Sequence, residues 1–140
     1  MIVISQIGKQ SVGKSFLFNN MFKTKFLNQS GRCTVGVNMS FREINNNESN
    51  NDKLLILDTE GLGSTIRAKI KGIDINFDKI MVLFCMIVSN ALLITLKSEM
   101  DTETEETLKI CIWALLNIKI TKQDCPHIYF VLNQQADSNE

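Results

Sequence analysis

MIVISQIGKQSVGKSFLFNNMF, residues 1–22, is the stretch whose reading decides the fold. Its centre, GKQSVGKS at 8–15, matches GxxxxGK[ST]. Residues 1–7 form a β-branched apolar run, which predicts a buried strand. Residues 8–13 then form a loop and 14–22 a helix, with Phe16, Leu17, Asn20 and Met21 bracketing one face. A strand that feeds such a loop into a helix is the setting in which this motif cradles phosphate. The glycines let backbone wrap close to an anion. The loop amides and the helix N-terminus supply donors and a positive field. The reading assigns nucleotide contacts to Gly8, Lys9, Gln10, Ser11, Val12, Gly13, Lys14, Ser15 and Phe16. Lys14 can reach the β- and γ-phosphates, and the Ser15 hydroxyl can ligate Mg²⁺.

Outward from there, the next signal is LLILDTEGLG at 54–63. A continuous apolar strand at 53–57 delivers Asp58 to the carboxyl edge of the sheet, where open α/β sheets bind ligands. A carboxylate at that edge can hold Mg²⁺ directly or through water. Gly61 completes a DxxG whose amide can meet the γ-phosphate. Between the two motifs, SGRCTVGV at 30–37 supplies Thr34. A threonine in this loop is the residue type that ligates Mg²⁺ and senses the γ-phosphate in nucleotide switches. The expected metal set is Ser15, Thr34 and Asp58, and the expected catalytic set is Lys14, Thr34 and Gly61. Alone, a DxxG is an ordinary strand-end turn and a loop threonine an ordinary solvated residue. Their order after the phosphate loop gives them weight.

The remaining chain continues the alternation. Residues 38–44 read as a strand, the Asn-rich NNNESNND at 45–52 as a loop or hairpin tip, and 75–88 as a helix. Residues 91–96 read as a buried strand and 101–118 as a helix with an acidic first turn, the sign its dipole favours. On that last helix Leu108, Cys111, Ile112, Leu115 and Leu116 form the apolar stripe. Residues 128–132 read as a final strand. Segments 23–37 and 59–72 carry glycines and little periodicity, which predicts mobile connections. Fully apolar strands alternating with helices predict an α/β fold: a mostly parallel sheet with helices on both faces.

With 140 residues, 44% of them hydrophobic and 21% charged, the chain can bury a core. Fifteen basic and fifteen acidic residues leave no net charge, which argues against a nucleic-acid or anionic-membrane partner. Cys33, Cys85, Cys111 and Cys125 are irregularly spaced and His127 stands alone, so no zinc site is expected. Reduced cysteines and the lack of a secretory leader predict a cytoplasmic protein. The apolar run 80–96 is too short for a membrane span and is interrupted by Ser89 and Asn90.

Taken together, FNNMFKTKF (18–26), SGRCTVGVNMSF (30–41) and LLILDTEGL (54–62) resemble the G domain of the very large inducible GTPases of the interferon-response group. The chain also resembles, more distantly, guanylate-binding proteins and atlastins. The apolar run broken at Ser89-Asn90, the acidic helix and IYFVLNQ (128–134) extend the likeness over nearly the whole chain. The resemblance implies a P-loop GTPase fold and makes Thr34 the switch threonine, with Asp58 and Gly61 in a second switch. Three departures matter. Leu62 stands where Ras-type GTPases carry a water-orienting glutamine, as it does in the resembled families. Ser11 stands where guanylate-binding proteins carry an arginine, leaving Arg32 and Arg67 as candidates for that charge. No NKxD follows the last strand; Gln134 to Asp137 has its spacing, which makes Asp137 the candidate base reader. The resembled domains also continue past the fifth apolar strand, so the chain reads as a single G domain incomplete at its C-terminus.

The expected function is Mg²⁺-dependent binding of GTP with slow hydrolysis, speeded by homodimerisation through the nucleotide face. The alternatives are a non-hydrolysing nucleotide-binding scaffold and an ATP-using P-loop protein.

Overall fold

A strand buried on both faces needs cover from helices, and the three central strands of the sheet set this architecture. The structure, a computed structural model, describes residues 1–27, 34–45, 51–64, 75–97, 102–118 and 125–133. Its elements run β1 (Ile2–Ile7), α1 (Lys14–Phe22), β2 (Val37–Asn45), β3 (Asn51–Thr59), α2 (Ile75–Val88), β4 (Ala91–Lys97), α3 (Thr102–Asn117) and β5 (His127–Asn133). They form one sheet in the order β2-β3-β1-β4-β5. β3, β1, β4 and β5 are mutually parallel, and β2 pairs antiparallel with β3 as a hairpin. This is the mostly parallel sheet with helices on both faces that the sequence predicts.

The alternation of side chains along β4 divides the core in two. Leu93 joins Phe18, Phe26, Leu54 and Ile56 beneath α1. Leu92, Ile94 and Leu96 join Met81, Val82, Cys85 and Met86 of α2 and Cys111 and Ala114 of α3 on the opposite face. The polar break in the apolar run is equally functional for the fold. Asn90 Oδ1 accepts the Val3 amide at 2.8 Å. Its own amide donates to the Val3 carbonyl, and its carbonyl accepts the His127 amide at 2.9 Å. One residue thus ties together the starts of β1, β4 and β5. No helix among the described residues is long and apolar enough to cross a membrane.

Two helix faces differ from the sequence expectation. In α1 the buried residues are Lys14 and Phe18, while Phe16 and Met21 lie open to solvent. The phosphate loop fixes this rotation: with Lys14 turned inward, the residue one helical turn on, Phe18, must face the sheet. There it meets Phe22 edge-to-face at 5.2 Å. In α3 the buried stripe is Thr104, Thr107, Cys111 and Ala114, with Leu108 half-buried and Ile112, Leu115 and Leu116 exposed. The helix packs chiefly on α2, with its small side chains inward and its larger aliphatics turned outward. The segment after α1 is also less free than its composition suggests. The Asn19 side chain accepts from Thr24 Oγ1 and the Phe26 amide and donates to the Phe26 carbonyl, each at 2.8 Å.

This assignment of faces has a direct consequence. Phe18→Ala is expected to lower stability by about 3–5 kcal/mol, the usual cost of emptying an aromatic core site. Leu116→Ala is expected to change it by less than about 0.5 kcal/mol. Urea unfolding of the two variants beside the parent chain checks both values.

Candidate functional site

The parallel register brings the carboxyl ends of β1, β3 and β4 to one edge, and the two loops that leave β1 and β3 meet there. Gly8 opens the first loop at φ 156°. A Cβ on it would lie 2.3 Å from the Thr95 carbonyl oxygen, so only glycine lets the chain leave β1 against its neighbour. Gly13, at φ 80° and ψ 22°, swings the chain into α1. Between them Val12 is buried, and its carbonyl accepts the Asn133 side-chain amide at 2.8 Å, pinning the loop to the end of β5.

The second loop lies directly on the first. The Leu62 amide donates to the Gly8 carbonyl at 3.0 Å. A Cβ on Gly61 would sit 2.4 Å from Gln10 Cα, so this glycine is required by the contact of one loop with the other. Leu62 itself is 1% exposed and belongs to the core beneath α2 and α3. It is an anchor for the loop and does not face the site. The Gly63 amide donates to Asp78 Oδ2 of α2 at 2.8 Å, which fixes the loop from its far side.

Asp58, fully buried at the end of β3, is the centre of the arrangement. Its Oδ2 accepts the Ser15 hydroxyl at 2.7 Å and the Thr34 hydroxyl at 2.9 Å. The two hydroxyls are 3.4 Å apart. Its Oδ1 accepts the Gln6 side-chain amide at 2.8 Å. Glu60, also buried, closes the Thr34 segment onto the second loop. Its Oε2 accepts the Gly36 amide at 3.1 Å, and its own amide donates to the Gly36 carbonyl at 2.7 Å.

Lys14 is 7% exposed, and its ammonium donates to the carbonyls of Gly8 (3.2 Å) and Lys9 (2.9 Å). Burial pulls its pKa from 10.5 down to about 8, against the opposing pull of the Asp58 and Glu60 carboxylates. Lys9 points elsewhere: its ammonium pairs with Glu106 of α3 at 2.8 Å. That hydrogen bond is the main reason the Glu106 carboxyl titrates below its ordinary range.

The structure therefore gathers Lys14, Ser15, Thr34, Asp58 and Gly61 at one place. Phe16 faces solvent, Ser11 is exposed with φ 64°, and Lys9 is held by α3. Asp137, Arg32 and Arg67 lie outside the described residues. Gln6, Glu60, Asp78, Glu106 and Asn133 enter the site unannounced by any motif position. The available signal for Gln6 was an amide near the end of a mostly apolar strand, and for Glu60 a second carboxylate two residues after Asp58.

Among the described residues no three His, Cys, Asp or Glu side chains cluster as metal ligands. The convergent set is two hydroxyls and one carboxylate, all hard oxygens. Such a set suits Mg²⁺, which takes few protein ligands and completes its shell from water and phosphate. With Mg–O near 2.1 Å, neighbouring ligand oxygens in an octahedron lie about 3 Å apart. The three observed separations, 2.7, 2.9 and 3.4 Å, fit that spacing.

Residues 1–139 match the family model described as the URGCP-like GTPase domain. The chain is 30% and 32% identical over 125 residues to the mouse and human proteins named interferon-induced very large GTPase 1. These alignments cover 87% of this chain and 5% of each relative. It is 33% identical over 147 aligned residues to the Paramecium tetraurelia protein named SEY1 homolog 2, covering 98% of this chain and 18% of that one. The chain thus spans a small part of the length of each of these relatives.

The buried ammonium gives the site two opposite pH dependences. Because the folded pKa of Lys14 lies below 10.5, the unfolded chain holds more protons between pH 8 and 10.5. The free protein is therefore expected to gain stability as pH rises through that window. A triphosphate needs the charged ammonium, so its affinity is expected to fall about tenfold between pH 7.5 and 9. Urea unfolding and nucleotide titration across pH 7–10 check the two trends, and Lys14→Met should flatten both.

Proposed function

The chain belongs to the URGCP-like GTPase domain family, and on that premise we propose that it binds GTP with Mg²⁺ and hydrolyses the β–γ phosphoanhydride slowly. The observation that carries this reading is the convergence of the Ser15 and Thr34 hydroxyls on one oxygen of Asp58, beside the Lys14 ammonium. Each group has a part. Lys14 exchanges the Gly8 and Lys9 carbonyls for phosphate oxygens. The loop amides from Gly8 to Gly13 and the N-terminus of α1 receive the remaining phosphate charge. Ser15, Thr34 and Asp58 would hold Mg²⁺, which when bound neutralises phosphate charge. The Gly61 amide turns toward the γ-phosphate, and the Glu60–Gly36 pair makes the Thr34 segment and the Gly61 segment respond together. The domain acts in the cytoplasm, in keeping with the buried, unpaired thiols of Cys85 and Cys111, which burial pushes up to about 12.

Slow turnover follows from what the loops lack. Leu62 is committed to the core and orients no water. No arginine occupies the phosphate loop, so charge stabilisation of the arginine-finger kind falls to Arg32 or Arg67. A second copy meeting the nucleotide face completes the site. One observation favours a second reading, a domain that binds nucleotide without hydrolysing it: the same burial of Leu62 leaves no water-orienting side chain at that position.

Two measurements decide between these. Fluorescent GTP and ATP analogues titrated with Mg²⁺ and with EDTA are expected to show Mg²⁺-dependent binding with GTP preferred, lost in Lys14→Ala. Equal affinity for the two bases would favour an ATP-using protein. Turnover per chain is expected to be slow at high dilution and to rise with protein concentration. A rate that is fast and concentration-independent would remove the role of the second copy. No turnover at any concentration would leave the binding-only reading.

A further inference from the structure

Gln6 sits one residue before the end of β1, fully buried, and directly opposite Asp58 in the β1–β3 register. Its Nε2 donates to Asp58 Oδ1 at 2.8 Å. Thr59 Oγ1 donates to the Gln6 carbonyl at 2.7 Å, which clamps this pair of positions together from the backbone side. The other end of the Gln6 amide is different. Its Oε1 is buried, and no donor among the described residues reaches it. A buried acceptor without a partner destabilises a fold, a cost set against the hydrogen bond that the same amide gives Asp58. A half-satisfied amide at this buried position calls for a reason.

The reason lies in what Nε2 does to Asp58. A carboxylate can rotate and present either oxygen. Here Oδ1 is occupied by Gln6, so Oδ2 alone faces the Ser15 and Thr34 hydroxyls. Gln6 achieves this with a neutral group, leaving the full negative charge of Asp58 to the cation. We propose that Gln6 is a positioning residue that orients Asp58 for Mg²⁺ and thereby sets the Mg²⁺ requirement for nucleotide binding. It touches neither nucleotide nor metal. The inference rests on the Mg²⁺ assignment to Ser15, Thr34 and Asp58 proposed above. Loss of an orienting partner behind a metal ligand commonly lowers metal affinity 10–100-fold.

The experiment uses Gln6→Met and Gln6→Leu, two apolar replacements of the side chain. For each, the Mg²⁺ concentration giving half-maximal binding of a fluorescent GTP analogue is measured. Affinity for the same analogue in EDTA and thermal unfolding of the free protein are recorded beside it. The expected result is a folded variant with a lowered unfolding temperature, since Asp58 Oδ1 loses its donor, unchanged affinity in EDTA, and a Mg²⁺ requirement raised about 10–100-fold. An unchanged Mg²⁺ requirement in a folded variant overturns the proposal. So does an equal loss of affinity with Mg²⁺ and with EDTA, or failure of both variants to fold, since each marks Gln6 as a structural residue. If the parent chain itself binds nucleotide without regard to Mg²⁺, the underlying metal assignment fails first, and that outcome is read from the parent alone.

Discussion

One buried carboxylate organises this molecule. Asp58 is wholly shielded from solvent at the end of β3, and a charge in that position is tolerable only if its oxygens are fully engaged. Three side chains engage them: Gln6 from β1, Ser15 from the start of α1, and Thr34 from the segment before β2. Each comes from a different element, so satisfying one charge fixes the relative placement of β1, α1 and β2 around β3. The same demand makes the site responsive. A cation that competes for Oδ2 must loosen the two hydroxyls from it, and Thr34 carries the Gly36–Glu60 pair with it.

The contact between the two loops is the complementary constraint. Gly8 needs the space of a hydrogen against β4, and Gly61 needs it against Gln10. Leu62 then plunges into the core between those two close approaches, so the DxxG segment is bonded to the phosphate loop and anchored in hydrophobic packing at once. A glutamine at position 62 would have to leave that core to meet a water. The anchoring that holds Gly61 near the phosphate loop is thus gained at the expense of a side chain that could assist hydrolysis.

Much of this was legible in the sequence because it depends on local pattern. The apolar strands, the glycine-bearing loop and the polar break at Ser89-Asn90 announce their elements directly. Residue types with a single chemical use at a fixed spacing, Lys14, Ser15 and Asp58, announce the site. What was not legible depends on rotation and register. The buried face of α1 follows from Lys14 being turned inward, which a count of apolar residues cannot see. The buried face of α3 follows from the small residues Thr104, Thr107 and Ala114, which hydrophobic patterning discounts. Gln6 and Glu60 gain their meaning only from the cross-strand pairing with Asp58 and the contact with Gly36. No linear motif contains those pairings.

Register also bears on the choice of base. The side chain of Asn133, the last residue of β5, bonds the Val12 carbonyl, so Asn133 is the residue of that strand end committed to the phosphate loop. A base-reading tetrad counted from Asn133 ends on Ala136, which offers no carboxylate. Counted from Gln134, as the spacing of the motif alone suggests, it ends on Asp137. Guanine differs from adenine at this edge by two N–H donors, and the two oxygens of a carboxylate accept both. A shift of one residue in the frame therefore separates a site with an acidic base reader from one whose selectivity must come from backbone groups.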